Sequence, residues 1–147
     1  MDGIEMLEED HRRVEKLFSE FEGAGDRAFK TKRDIVDRII EELTVHSEKE
    51  EQVLYPAARD EVQNTEETVL EAFEEHAVVE NLMEELKGMD PEDENFEAKT
   101  TVLIENVRHH VEEEEGELFP KIRKALGDER VEELGAEMEA IQAKFEG

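Results

Sequence analysis

A pattern of 11 residues occurs twice in this chain, and it limits the fold more than any other feature of the sequence. The first copy is His46-Ser47-Glu48-Lys49-Glu50-Glu51-Gln52-Val53-Leu54-Tyr55-Pro56, and the second is His110-Val111-Glu112-Glu113-Glu114-Glu115-Gly116-Glu117-Leu118-Phe119-Pro120. Both read histidine, three residues, a glutamate pair, two residues, leucine, an aromatic and proline, at an offset of 64 residues. A shorter match lies upstream of each copy. The segment around Glu9-Asp10-His11 aligns with Glu75-His76 when His11 is laid on His76, an offset of 65. The chain therefore reads as two similar hairpins, about residues 4–60 and 66–124, within one domain spanning 1–147.

The hairpins are helical. Ile4, Leu7, His11, Val14, Leu17, Phe18 and Phe21 form one stripe at helical spacing. Gly23-Ala24-Gly25-Asp26 breaks it. A second helix is predicted from about Thr31 past Val53, with Pro56 expected to end or kink it. Thr65 is the expected cap of a third helix that carries Val69, Phe73, His76, Val79, Leu82, Met83 and Leu86. Gly88-Met89-Asp90-Pro91 stops that helix, and a fourth holds Leu103, Val107, His110 and Val111 up to Pro120. After Gly127-Asp128, Val131, Leu134, Met138 and Ile141 mark a shorter fifth. No strand pattern competes. Short loops make neighbouring helices antiparallel, so the predicted fold is all-α. It is an up-down-up-down four-helix bundle with a short C-terminal fifth helix as an appendage.

Composition narrows the function. The 147 residues include 44 acidic and 18 basic side chains, a formal net charge of -26, and no cysteine. Disulfides, thiolate metal sites and cysteine nucleophiles are excluded. So acidic a surface repels nucleic acid and anionic membranes. Acidic and apolar residues are interleaved, which makes the acid an exposed helix face rather than a disordered tail. A halophilic source would account for it. The start Met1-Asp2-Gly3-Ile4-Glu5 lacks the basic and apolar runs of a signal peptide, and no membrane-length apolar stretch occurs. The expected location is the cytoplasm.

The repeat carries the chemistry. Residues at i and i+4 share one helix face, so His46 with Glu50, and His110 with Glu114, each form a two-pronged chelate. Glu51 and Glu115 sit about 100° further round and should face solvent or the surroundings of the ligands. Distances from the loops place His11, His46, Glu50, His76, His110 and Glu114 at one level of the bundle. Buried carboxylates and imidazoles without partners are costly, and a cation offsets that cost. The bland alternative, scattered core or boundary histidines, does not explain why four of five histidines fall on inward stripes at repeat-related positions. His109 is one residue out of register and reads as a surface residue. Glu80, one turn after His76, is a possible extra ligand.

In order and spacing, these residues resemble the hemerythrin-like (HHE cation-binding) domain, from about Ile4 to beyond Pro120. The resemblance implies a four-helix bundle with a non-haem di-iron centre. His11 and His46 would bind one iron, His76 and His110 the other, and Glu50 and Glu114 would bridge them. Two features depart from the oxygen-carrying hemerythrins. Glu80 stands where those have a fifth histidine, and Glu114 stands for their bridging aspartate. Simple reversible oxygen carriage is therefore not the expectation. The resemblance implies a protein that binds or senses dioxygen or a related diatomic or peroxide ligand. The alternatives are a di-iron enzyme acting on peroxide, ferrous iron or nitric oxide, and a protein of iron-centre repair or iron storage. The cofactors expected are two iron ions, with zinc or manganese also compatible with this donor set.

Overall fold

Six helical segments follow one another in the computed structural model, which describes residues 1–146. They are α1 (Gly3–Gly23), α2 (Phe29–Lys49), α3 (Tyr55–Glu61), α4 (Glu66–Lys87), α5 (Phe96–Glu113) and α6 (Phe119–Glu146). A π-helical turn, Glu50–Leu54, joins α2 to α3, and another, Glu114–Leu118, joins α5 to α6. The four long antiparallel helices of the bundle are therefore α1, α2 with α3, α4, and α5 with the start of α6.

Local chemistry sets the ends. Asp2 caps α1, accepting from the Glu5 amide at 2.9 Å, while the Glu5 carboxylate accepts from the Asp2 amide at 3.1 Å. At the far end of α4, Arg33 Nη1 donates to the carbonyls of Leu86 and Met89 at 2.8 and 3.1 Å. This adds to the Met89 amide, which donates to the Leu86 carbonyl at 3.2 Å. Thr65 departs from its expected role. Its side chain makes no cap hydrogen bond to α4. Its hydroxyl instead donates back to the carbonyls of Ala58 and Val62 at 2.7 and 2.9 Å, securing the end of α3.

Pro56 does not end its helix. A proline ring clashes with the carbonyl four residues back and offers no amide. Widening the preceding turn to five-residue hydrogen bonding avoids this conflict. The Tyr55 amide donates to the Glu50 carbonyl, and the Phe119 amide donates to that of Glu114. The chain then runs on helically to Glu61 in the first half and into α6 in the second. Both copies of the repeat thus solve the same steric problem in the same way.

The core is two apolar clusters with a polar layer between them. One holds Leu7, Leu54, Val69, Leu118 and Leu134, and the other holds Val14, Leu43, Val79, Leu103 and Val107. In sequence, His11 falls between Leu7 and Val14, and His46 between Leu43 and Leu54. His76 likewise falls between Val69 and Val79, and His110 between Val107 and Leu118. Each long helix crosses the layer once, in alternating direction.

The C-terminal segment is more than an appendage. Gly127, at φ 83°, breaks α6, a conformation that favours glycine. Val131, Leu134, Met138 and Ile141 beyond it are buried in the first apolar cluster, against Ile4 and Leu7. Gly135 permits the closest approach, since a Cβ there would lie 2.9 Å from both the Gly3 amide nitrogen and the Met1 carbonyl oxygen. Among the described residues no helix is long and apolar enough to cross a membrane.

Candidate metal centre

The polar layer gathers all six repeat-related residues, and each is buried. Donor atoms of His11, His46, Glu50 and Glu114 lie within 4.8 Å of one another, as do those of Glu50, His76 and His110. Each carboxylate reaches both halves of the chain. Glu50 Oε1 is 3.2 Å from His46 Nε2 and 3.1 Å from His76 Nε2. Glu114 is 3.3 Å from His11 Nε2 through Oε1 and 3.2 Å from His110 Nε2 through Oε2.

The opposite nitrogen of every imidazole faces a second carboxylate. His11 Nδ1 meets Glu115 at 2.6 Å, His46 Nδ1 meets Asp10 at 2.9 Å, His76 Nδ1 meets Glu51 at 2.7 Å and His110 Nδ1 meets Glu75 at 2.7 Å. The pattern explains the glutamate pair in the repeat. The first glutamate enters the layer, and the second crosses to the lone histidine of the other hairpin. Asp10 and Glu75, each one residue before a lone histidine, serve the chelating histidine of their own hairpin. A carboxylate at Nδ1 keeps the proton there, fixes the ring's orientation and leaves Nε2 with a bare lone pair.

Those lone pairs point at carboxylate oxygens, which are also acceptors. His11 Nε2, both Glu50 oxygens and Glu114 Oε1 are buried without a hydrogen-bond partner. Acceptor facing acceptor in a dry interior is unfavourable unless something positive lies between them. The separations suit a cation. Two donors about 2.1 Å from one ion, at tetrahedral or octahedral angles, lie about 3.0–3.4 Å apart. The residues present therefore fit two adjacent cations that share Glu50 and Glu114.

Protons are the competing source of positive charge. Burial opposes charging His46, but Glu50 and Asp10 overcome it and push its pKa up to about 10. Burial is likewise outweighed at His110, where Glu114 leads in raising the value to about 10. His76 is raised too, against burial, chiefly by Glu50. Although burial works the other way, His46 and its neighbours hold the Glu50 carboxyl well below the usual carboxylate range.

The two halves differ in their surroundings. Asp10 also accepts from Lys49 Nζ at 3.0 Å and from Arg13. Lys49 is 2% exposed. The repeat-equivalent residue in the second half is Glu113, which is exposed. Phe119 stacks on His11, with ring centroids 5.7 Å apart and planes 6° from parallel. Its counterpart Tyr55 turns its hydroxyl into the layer, where it donates to Glu114 Oε2 at 2.6 Å. Burial, then Glu50 and Glu114, holds the Tyr55 phenol well above its ordinary value. On one side of the layer lies a cavity of about 390 Å³ whose walls include Phe18, Leu43, Val79 and Val107.

Glu80 is exposed and belongs to neither cluster, so the possible seventh ligand lies away from the layer. His109 is exposed and pairs with Glu113 at 2.9 Å. Glu51 and Glu115 do lie beside histidines of the layer, His76 and His11. Asp10, Glu75, Lys49 and Tyr55 carry no role in the sequence reading. The signals for them were an acid directly before each lone histidine and the differences between repeat copies, lysine against glutamate and tyrosine against phenylalanine.

The profile of the hemerythrin HHE cation-binding domain matches residues 2–122. The chain belongs to that family. Hemerythrin HHE domains bind cations, and this one presents its buried His/Glu layer as the place to do so. A protein of Nostoc sp. (strain PCC 7120) named DNA nickase is 30% identical over 142 residues, which cover 97% of this chain. The match spans only 39% of that relative's length. The fold is that of a hemerythrin HHE cation-binding domain-containing protein from Mycobacterium kansasii, with a TM-score of 0.83 at 22% identity. The superposition covers 99% of this chain and 87% of the other.

Proposed function

We propose that this chain holds two iron ions through His11, His46, Glu50, His76, His110 and Glu114, and uses them to bind or sense dioxygen or a related small molecule. The observation that carries the reading is that His11 Nε2, both Glu50 oxygens and Glu114 Oε1 are buried without partners, among donors at spacings two adjacent cations would satisfy. His11 and His46 would serve one ion, His76 and His110 the other, and the two glutamates both. A pair of ferrous ions supplies two electrons to a ligand such as dioxygen. Imidazole and carboxylate donors suit iron, with zinc and manganese as competitors.

The protein's own contribution is orientation and access. Four carboxylates lock the imidazole rings, and the cavity, with Phe18, Leu43, Val79 and Val107 in its wall and charged side chains such as Arg12 and Glu112 also lining it, gives a small ligand a way to the layer. The cavity also favours a second reading, a di-iron enzyme acting on peroxide, ferrous iron or nitric oxide. Its volume of about 390 Å³ far exceeds the space one diatomic ligand fills. Nicking of DNA is not carried over to this chain. The shared region is a minor part of that relative, and a net charge of -26 disfavours a polyanion.

The test is elemental analysis of the purified protein, followed by anaerobic reduction, admission of air and visible spectroscopy. Two irons per chain and an absorption change on exposure to air support the reading. A protein that retains no transition metal sinks it. Turnover with peroxide or nitric oxide would select the enzymatic reading.

A further inference from the structure

The repeat is broken at one buried atom. At the aromatic position the second copy has Phe119, whose ring lies flat beside His11. The first copy has Tyr55, which is fully buried. Its hydroxyl oxygen is 3.2 Å from His76 Nε2, 3.1 Å from His110 Nε2 and 2.6 Å from Glu114 Oε2. Only one of these contacts uses the phenolic proton, the donation to Glu114. With carboxylates at Nδ1 holding one proton there, each imidazole in its neutral, metal-binding form turns an Nε2 lone pair, not an N–H, toward this oxygen.

Three donor atoms therefore surround one point in the second half of the layer, two nitrogens and the phenol oxygen. Their separations of 3.1 and 3.2 Å fall in the range for donors sharing one ion. In the first half no such oxygen exists, since phenylalanine has none to offer. That side instead carries a buried cation, Lys49, on Asp10.

We propose that Tyr55 is a ligand of the second cation position, bound through its phenol oxygen, and that the two positions are thereby chemically unequal. This inference rests on the reading that the layer holds two cations. On binding, the O–H bond breaks, its electron pair becomes the oxygen–metal bond, and the proton leaves to solvent. The bound phenolate adds a negative charge that the first position lacks. It therefore favours the ferric over the ferrous state at the second ion. The first position, with two neutral imidazoles and Lys49 nearby, favours the ferrous state by comparison. One ion of the pair is then held oxidised more strongly than the other.

The sequence makes the test unambiguous, because Tyr55 is the chain's one tyrosine. The protein is loaded with ferric iron, and its metal content and visible and resonance Raman spectra are recorded. A ferric phenolate gives a charge-transfer band in the visible, and excitation in that band enhances phenolate ring vibrations. The expected result is such a band with tyrosinate ring modes at two irons per chain. Tyr55→Phe should abolish both signatures in whatever iron it still binds. Two irons per chain without tyrosinate modes, or a band that survives in Tyr55→Phe, would overturn the assignment and leave the di-iron reading standing. Failure of the wild-type chain to take up iron would overturn both. If Tyr55→Phe does not fold, wild-type protein with ring-deuterated tyrosine decides the matter. An isotope shift of the enhanced modes supports ligation, and no shift overturns it.

Discussion

The two hairpins place their metal-binding side chains alike and surround them differently. His46 with Glu50, and His110 with Glu114, meet at matching distances, and each hairpin sends a carboxylate to the other's lone histidine. Beyond that the halves diverge. The first buries Lys49 on Asp10 and is covered by the C-terminal part of α6, while the second leaves Glu75 part-exposed and receives the Tyr55 hydroxyl. The shared part builds the buried His/Glu layer on which the two-ion proposal rests. The divergent part gives the two sides of that layer different surroundings.

The largest effects should come from what the halves share. Glu50→Ala and Glu114→Ala each remove a carboxylate that faces histidines of both hairpins. Each should cost at least one ion per chain by elemental analysis, together with the thermal stabilisation that metal confers. If either variant keeps two ions, the glutamates are not shared. His109→Ala, altering an exposed residue, is the control and should keep both ions.

Next come the paired variants Asp10→Asn and Glu75→Gln. Both weaken the hold on a chelating histidine, which costs about 10–100-fold in metal affinity in comparable sites. Asp10→Asn also strands Lys49 in the interior, a loss of about 3–5 kcal/mol where a buried pair is broken. Chemical denaturation of chelator-treated protein should therefore find Asp10→Asn markedly less stable than Glu75→Gln. Equal stability would erase the contrast between the halves.

The pH dependence should be of opposite sign with and without metal. Folded His46 and His110 titrate at about 10, above the ordinary 6.5. Without a cation their contribution to stability is complete below about 6.5 and is lost as pH rises through about 10. Metal binding needs Nε2 unprotonated, so loading should improve over the same interval. Calorimetry between pH 6 and 10, with chelator and with metal, should show the two melting curves separating as pH rises. Removing His46 or His110 should flatten the chelator curve similarly, since the two sites mirror each other.

A smaller effect, confined to the covered side, is expected at Gly135. A methyl group there meets the backbone of Met1 and Gly3 and should cost about 1–3 kcal/mol as overpacking does. Metal affinity should be unchanged. A Gly135→Ala protein of normal stability would mean that the α1–α6 contact yields easily.

Much of this molecule could be read from one dimension. Helical period and an i, i+4 chelate are local properties, so the stripes and the duplicated motif located the helices and brought six donors to one level. The proline in each repeat was legible, but its consequence was not. Whether it ends a helix or widens a turn depends on whether the chain beyond it has a core to enter. Leu54 and Ala58 do, in the cluster that α6 completes.

The tertiary structure alone decided which carboxylate meets which imidazole, and where an aromatic side chain points. Glu51 reaches His76 and Glu115 reaches His11 across helix pairs far apart in sequence, and helix spacing and rotation set those contacts. Tyr55 and Phe119 occupy equivalent places in the repeat and follow identical π turns, yet one joins the polar layer and the other stacks beside it. The physical reason is the hydroxyl group. A buried phenol must find hydrogen-bond or metal partners, which the layer supplies, whereas a phenyl ring needs only a face to pack on.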